Sequence, residues 1–232
     1  YTIAEVTNNY FSLLATANGT NNGVRFSYDT IYDKVTSGAI GHSSDVFTSL
    51  AMYWQLHLAY DNAYAQKTYS NYKEITNNLL FARVDSYARN PSSFDGEVAL
   101  TLNAGTDQNF MRLVSAATKK NLTEFFTRWG YVPNQETVKF MEQFEEETRA
   151  IYYINDDAQS AVIEKTMTSL KDKEVISLVS VDVDHSNVTL TMKANSQYNQ
   201  DILGYEIVRV TTSQGQTQKE VVGFTTTDTF TD

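Results

Sequence analysis

The first 170 residues repeat apolar side chains at the three- and four-residue spacing of amphipathic helices. In residues 2–17, one such stripe is formed by Ile3, Val6, Tyr10, Leu13 and Ala17. The same spacing predicts helices over 44–64, behind the Ser43-Ser44-Asp45 cluster that suits an N-cap, and over 66–82, 107–118 and 122–129. A last long helix is predicted after Pro133-Asn134, with Val138, Met141, Phe144 and Thr148 on its buried side. The pattern thus predicts about six helices.

After residue 170 the apolar period changes from a helical spacing to two, which is typical of strands. The alternation covers 175–181, 188–192, 204–210 and 220–226, and Ser213-Gln214-Gly215 marks a turn between the last two runs. Short strands at this spacing predict an antiparallel sandwich. We therefore expect a multi-domain α and β protein, with an α-helical domain over 1–168 and a small antiparallel β-sandwich-like domain over 170–232.

The charge balance excludes one class of partner. Eighteen Lys and Arg residues against twenty-eight Asp and Glu residues give a net charge of −10. Because nucleic-acid binding depends on neutralising phosphates with basic side chains, nucleic acid is not an expected partner. The chain also lacks the run of about eighteen apolar residues that a membrane-spanning helix needs.

Several common catalytic motifs are absent from the sequence. The chain has no cysteine and only three histidines, and none of the histidines precedes a glutamate in an HExxH zinc motif. No Gly-x-Ser-x-Gly nucleophile elbow occurs either. The 232 residues therefore hold no complete catalytic constellation.

One predicted helix carries an unusual polar stripe. Glu5, Asn8, Asn9 and Ser12 stand at i, i+3, i+4 and i+7, on a different face from Val6 and its apolar neighbours. A carboxylate with amides one turn away suits a metal ligand with supporting hydrogen bonds around it. A solvated helix face would have the same spacing, so the pattern alone leaves both interpretations open.

The same segment resembles a known family. The run Glu5-Val6-x-Asn8-Asn9, followed by Tyr10-Phe11-Ser12-Leu13, looks like the third-ligand helix of the enhancin-like, mucin-directed zinc metallopeptidases. In these gluzincins an HExxH helix supplies two histidines and a later helix supplies a glutamate. Further segments match in the same order, and the resemblance extends over about residues 1–165; they are 50–56 (LAMYWQL), 121–130 (NLTEFFTRWG) and 152–157 (YYINDD).

The resemblance implies a role for each of four residues. Glu5 would be the third protein ligand of a zinc ion, and Asn8 and Asn9 would orient Glu5 or a ligand histidine. His42, just before a helix, is a candidate transition-state donor in the cleft. The HExxH histidines and general base would belong to an N-terminal half of the peptidase domain that these residues lack. The implied parent is a secreted or cell-surface zinc endopeptidase acting on glycoproteins such as mucins, and this chain alone would be inert.

Other chemistry-bearing residues have simpler expected roles. His57 lies within an apolar stripe and is expected to be a core histidine, whereas His185 lies in a turn between strands and is expected to be solvated. Phe125, Phe126 and Trp129 are expected in the core. The acidic run 142–147 is expected to form the solvated face of the last helix.

The C-terminal part has a resemblance of its own. Segments 202–209 and 221–232 are similar to strands of fibronectin type III modules, and the match covers about the first five strands. We expect either a smaller sheet packed on the helices or a C-terminal continuation of the module.

An alternative function is a non-catalytic adhesion or carbohydrate-binding protein, in which Tyr and Trp side chains would stack on sugars. An HExxH sequence encoded upstream of Tyr1 would favour the peptidase over this binding protein.

Overall fold

The computed structural model of the chain describes residues 2–16, 24–37, 45–61, 68–156 and 168–232. These residues form eight α-helices: α1 (Thr2–Thr16), α2 (Tyr28–Thr36), α3 (Val46–Tyr60), α4 (Tyr72–Asn78), α5 (Leu80–Arg89), α6 (Thr106–Thr118), α7 (Thr123–Arg128) and α8 (Gln135–Met141). The described strands are β1 (Lys120–Asn121), β2 (Glu145–Glu146), β3 (Ile176–Asp184), β4 (Asn187–Ala194), β5 (Tyr205–Ser213), β6 (Gln216–Thr225) and β7 (Thr229–Thr231). The predicted fold class, a helical region followed by small antiparallel sheets, is confirmed.

The most regular helical patterns gave accurate predictions. Helix α1 buries Val6, Tyr10 and Leu13 of its predicted stripe, while Ala17 lies outside the described residues. Helices α6 and α7 also form where they were expected. Helix α2 was not among the predicted helices, although its buried residues Ile31 and Val35 stand one turn apart.

Helix α3 forms within the predicted range 44–64, and its burial extends beyond the apolar stripe predicted around His57. Every residue from 49 to 59 is buried, so the helix contacts protein on all sides. Two polar side chains inside it, Gln55 and His57, have buried hydrogen-bond partners, which allows them to face the core. Asp45 caps the helix by accepting a hydrogen bond from the Thr48 backbone N–H at 2.8 Å. Ser43 and Ser44, the other predicted capping residues, are not described.

The helix predicted over 66–82 is two helices in the structure. Leu79 has extended backbone angles between α4 and α5, and residues 62–67 lie outside the described ranges. The carboxylate of Asp61 accepts a hydrogen bond from the Leu80 backbone N–H at 2.6 Å. That contact satisfies a donor at the first turn of α5, so a distant residue fixes where the new helix begins.

The long final helix predicted after Pro133-Asn134 ends early. Helix α8 stops at Met141, and β2 pairs in parallel with β1, 25 residues earlier. The acidic run 142–147 is therefore not one solvated helix face. Glu147, the last residue of that run, is buried and accepts hydrogen bonds from Arg149 Nη2 at 2.6 Å and from the Tyr60 hydroxyl at 2.5 Å. The placement was wrong because the nearby Arg149 cation and the distant Tyr60 phenol compensate for burying this carboxylate.

The buried Glu147 carboxylate predicts a specific pH dependence of stability. Burial alone would raise the pKa of Glu147, but hydrogen bonds from Arg149 and Tyr60 outweigh burial and hold the pKa below its ordinary value of 4.5. A depressed folded-state pKa contributes stability above the unfolded pKa, and the contribution is lost as pH falls through the folded pKa. We expect Glu147→Gln to lower the free energy of unfolding by about 2 kcal/mol near neutral pH, and the deficit to shrink below pH 4.5.

Denaturant unfolding over a pH series measures this difference. Glu145→Gln is the matched control, because Glu145 belongs to the same acidic run but is exposed, and we expect only a small change at any pH. A Glu147→Gln deficit that stays constant from neutral to acidic pH would contradict the assigned ionisation.

The C-terminal strands form two antiparallel sheets, β3-β4-β7 and β5-β6. The β5-β6 turn has positive φ at Gln214 (51°) and Gly215 (77°), as a tight hairpin turn of the primed type requires. His185 lies in the β3-β4 turn with an exposed side chain, as predicted.

The smaller sheet packs against the helical region. The Phe224 ring of β6 stacks on Tyr153 with ring centroids 3.9 Å apart, and it also contacts Tyr32 of α2. Beside it, Glu206 of β5 accepts a hydrogen bond from the Tyr153 hydroxyl at 2.6 Å and pairs with Arg128 at 3.0 Å. The structure thus agrees with the expectation of a smaller sheet packed on the helices. The boundary between domains at 168 and 170 stays a prediction.

Candidate functional site

The polar face of α1 contains the candidate metal ligand. Glu5 lies in the first turn of this helix, and its side chain and that of Asn8 are exposed. Within the described part of the chain, the Glu5 carboxylate has no hydrogen-bond or ion-pair partner. This carboxylate is therefore available to bind a group from outside these residues.

Asn9 contacts the backbone of Glu5 rather than its carboxylate. Its Nδ2 donates a hydrogen bond to the Glu5 carbonyl oxygen at 3.0 Å. Its Oδ1 accepts one from Nη1 of Arg25, whose Nη2 donates to Ser12 Oγ at 2.9 Å. Arg25 escaped the sequence analysis because it lies 16 residues from Asn9 with no periodic relation to the polar stripe.

The opposite face of α1 is fixed by aromatic packing. The buried Tyr10 ring lies 4.8 Å from Phe81 and 6.1 Å from His57 between centroids. Burial, together with the nearby Asp61 carboxylate, raises the pKa of Tyr10 well above its usual value, so the phenol remains neutral. Because one face is anchored in the core and Arg25 holds the other, the rotation of α1 about its axis is restrained on both sides.

His57 is a core histidine, as predicted. Its Nδ1 lies 2.5 Å from Asp61 Oδ2, and the two side chains are 2% and 3% exposed. The second oxygen of Asp61 accepts the Leu80 N–H that starts α5. This pair therefore links α3 to α5 beneath the ring of Tyr10.

Gln55 connects three segments that the sequence analysis singled out separately. Its Oε1 accepts a hydrogen bond from Trp129 Nε1 at 3.0 Å, and its Nε2 donates to the carbonyls of Tyr152 at 2.7 Å and Ile154 at 3.3 Å. Next to it, Trp54 Nε1 donates to Asp156 Oδ1 at 2.9 Å. One buried polar centre thus joins segments 50–56, 121–130 and the described part of 152–157. The predicted core positions of Phe125, Phe126 and Trp129 are confirmed.

The described residues include one donor suited to zinc but not a whole site. No group of three or more His, Asp or Glu side chains is close enough to hold a metal in the described ranges. A carboxylate oxygen is an ordinary zinc ligand, so Glu5 fits as one member of a larger set. His42, the other candidate, lies outside the described residues. Among helices of the described residues, none combines the length and apolar character needed to cross a bilayer.

The family of the chain follows from its N-terminal region. Residues 1–130, more than half of the chain and including α1 with Glu5, match the family model described as peptidase M60, enhancin and enhancin-like. The chain belongs to this M60 family. The match confirms the predicted relation to enhancin-like metallopeptidases, over 1–130 rather than the predicted 1–165. Among curated proteins, none is significantly similar to the chain.

Solved structures of M60 catalytic domains share the fold. The M60 catalytic domain with two CBM51 domains from Clostridium perfringens ZmpB has a TM-score of 0.54 at 24% identity, over 98% of this chain and 21% of that one. The catalytic module of the metalloprotease ZmpA from the same organism has a TM-score of 0.51 at 18% identity, over 98% and 39%. The M60 catalytic domain of its ZmpC, in complex with the sialyl T antigen, has a TM-score of 0.50 at 22% identity, over 95% and 36%.

These similarities concern the fold, and they include the β-strands as well as the helices. The chain spans 21% to 39% of the length of the three M60 structures. The relation to M60 metallopeptidases therefore applies to a part of such an enzyme.

Proposed function

We propose that this chain is part of a secreted or cell-surface zinc metallopeptidase that hydrolyses peptide bonds in glycoproteins such as mucins. Glu5 would supply the third protein ligand of the zinc. The observation that carries the proposal is the exposed Glu5 carboxylate, which is left without a partner among the described residues while Asn9 and Ser12 on the same helix face are engaged. It lies within the segment that matches the M60 family.

The residues of this chain would help to bind and position the zinc ion, but they would not complete the catalytic machinery. A bound zinc ion supplies a Lewis acid that polarises the scissile carbonyl and lowers the pKa of water. Glu5 would hold that ion, and Asn9 would restrain the first turn of α1 through the Glu5 carbonyl. The two histidines and the general base of an HExxH motif would come from polypeptide outside these 232 residues, since the chain contains no such motif. Asn8 and His42 remain candidates for an outer contact and a transition-state donor.

A glycan-bearing substrate is consistent with one of the similar structures. The ZmpC domain is in complex with the sialyl T antigen, and by analogy a glycoprotein is the proposed substrate class here. The proposed organisation keeps a helical part over 1–168 and a fibronectin type III-like β part over 170–232.

The test compares the longest natural polypeptide containing this chain with the 232 residues alone. We expect the longer protein to encode HExxH upstream of Tyr1, to bind about one zinc ion and to cleave a mucin glycopeptide. The 232 residues should neither cleave it nor bind zinc with about micromolar affinity, because one carboxylate does not hold the ion.

Two results would overturn parts of this proposal. Absence of HExxH from the longer protein, or glycopeptide binding without zinc or cleavage, would favour the adhesion or carbohydrate-binding alternative. Tight zinc binding by the 232 residues alone would overturn the idea that the ligand set is shared with other polypeptide.

A further inference from the structure

We propose that Arg25 is a positioning residue that sets the polar face of α1 and thereby the placement of Glu5. The inference rests on the proposed function for its link to zinc, but its contacts stand independently of it. Arg25 lies just before α2 and donates from both terminal nitrogens to α1, to Asn9 Oδ1 and to Ser12 Oγ. Its side chain therefore bridges α1 and the segment that leads into α2.

The bridge fixes the orientation of the Asn9 amide. Because Oδ1 accepts from Arg25, the Nδ2 of the same amide is directed to the Glu5 carbonyl oxygen, 3.0 Å away. A continuous path of hydrogen bonds thus runs from the Arg25 guanidinium through Asn9 to the backbone of Glu5. Loss of the guanidinium would leave the amide free to rotate and would loosen the first turn of α1.

Arg25 lies just before α2, which is held in the core, so it can restrain α1. Helix α2 buries Ile31 and Val35 completely, and Tyr28 in its first turn donates a hydrogen bond to Asp156 Oδ2 at 2.5 Å. Since α2 is held in the core, the Arg25 guanidinium beside it restrains the polar face of α1 relative to the core. A metal ligand must be held within about 0.5 Å of its productive position, which such a support can provide.

The geometry of the contact distinguishes Arg25 from a general positive charge. Its two acceptors, an amide oxygen and a hydroxyl, are neutral and stand three residues apart on one helix face. A planar guanidinium can donate to both at once from two nitrogens, whereas a lysine ammonium is a single point charge on a flexible stem. Arg25→Lys should therefore behave like Arg25→Ala if the role is positional, and like the unchanged protein if only the charge matters.

The contact itself is tested in the 232-residue chain without zinc. The experiment is a double-mutant cycle of Arg25→Ala and Asn9→Ala, with hydrogen exchange of the α1 amides measured by NMR. Each single variant is expected to speed exchange in the first turns of α1, and the double variant to add little, because both remove the same path. Arg89→Ala is the matched control, since Arg89 is an exposed arginine that pairs with Asp85 on its own helix, α5. Fully additive effects would overturn the bridge.

The functional consequence is tested in the zinc-loaded longer protein. Zinc release to a chelator is expected to be about 10-fold faster in both Arg25→Ala and Arg25→Lys, as for loss of residues that support metal ligands, and unchanged in Arg89→Ala. Unchanged release in Arg25→Ala, or normal release in Arg25→Lys, would overturn the positioning role. If zinc retention is instead unaffected by Glu5→Gln, the proposed function fails, while a non-additive cycle would still support the bridge between α1 and α2.

Discussion

Replacing Glu5 by glutamine is expected to remove zinc from the longer protein and to abolish its peptidase activity. Glutamine keeps the size of the side chain but lacks the negative charge that a zinc ligand contributes. Loss of a supporting residue around a metal costs about 10- to 100-fold in affinity, and loss of a ligand should exceed the upper figure. Zinc content after dialysis and cleavage of a mucin glycopeptide measure the effect.

The same substitution should leave the stability of the fold almost unchanged. Because the Glu5 carboxylate is exposed and no described residue binds it, Glu5→Gln should change the free energy of unfolding by no more than about 0.5 kcal/mol. Glu136→Gln is the matched control, an exposed glutamate in the first turn of α8, and it should retain zinc and activity. Full zinc retention in Glu5→Gln would remove Glu5 from the ligand set.

The local sequence pattern predicted well those helices that pack against the rest of the protein on one face only. Helix α1 has one buried stripe and one polar face, so its period of 3.6 is visible in the sequence. Helix α3 is buried all round from 49 to 59, so the predicted stripe covers only part of its buried surface and no polar face defines a period. Gln55 and His57 are polar residues in the core, and only their distant partners explain their positions.

Long-range contacts also decided where elements end. Leu79 separates α4 from α5 because the Asp61 carboxylate, 19 residues before Leu80, binds the N–H that starts α5. Glu147 leaves the predicted helix because Tyr60, 87 residues away, and Arg149 compensate its burial. Arg149 lies only two residues from Glu147. The contacts made by Asp61 and Tyr60 come from distant residues and have no signal in the neighbouring sequence.

The position of Glu5 was predictable from the sequence, but the contacts that support its helix face were not. Spacing placed Glu5 and Asn9 on one face of α1, and the structure keeps them there. Arg25 joins that face from a separate segment, so helical spacing could not reveal it. A polar stripe on a helix is visible in the sequence, whereas the contacts that hold the stripe in place depend on tertiary packing.

The contacts of Gln55 explain in physical terms why the three segments that resemble the family occur together. Each contributes one side of a buried hydrogen-bonded centre: Gln55 from α3, Trp129 after α7, and the carbonyls of Tyr152 and Ile154. The partners of Gln55 lie 74 to 99 residues after it in the sequence. The co-occurrence of the three segments is therefore explained by packing around Gln55, without assigning any of them to the reaction.

Gln55→Leu is expected to lower the free energy of unfolding by about 3 to 5 kcal/mol. Leucine fills a similar volume but leaves the Trp129 N–H and the Tyr152 and Ile154 carbonyls without their buried partner, and each such group costs about 1 to 3 kcal/mol. Denaturant unfolding followed by tryptophan fluorescence measures the loss, because Trp129 donates to the replaced side chain. Gln218→Leu, at an exposed position on β6, is the control and should stay within about 0.5 kcal/mol of the unchanged chain. If both variants unfold at the same denaturant concentration as the unchanged chain, Gln55 does not hold these segments together.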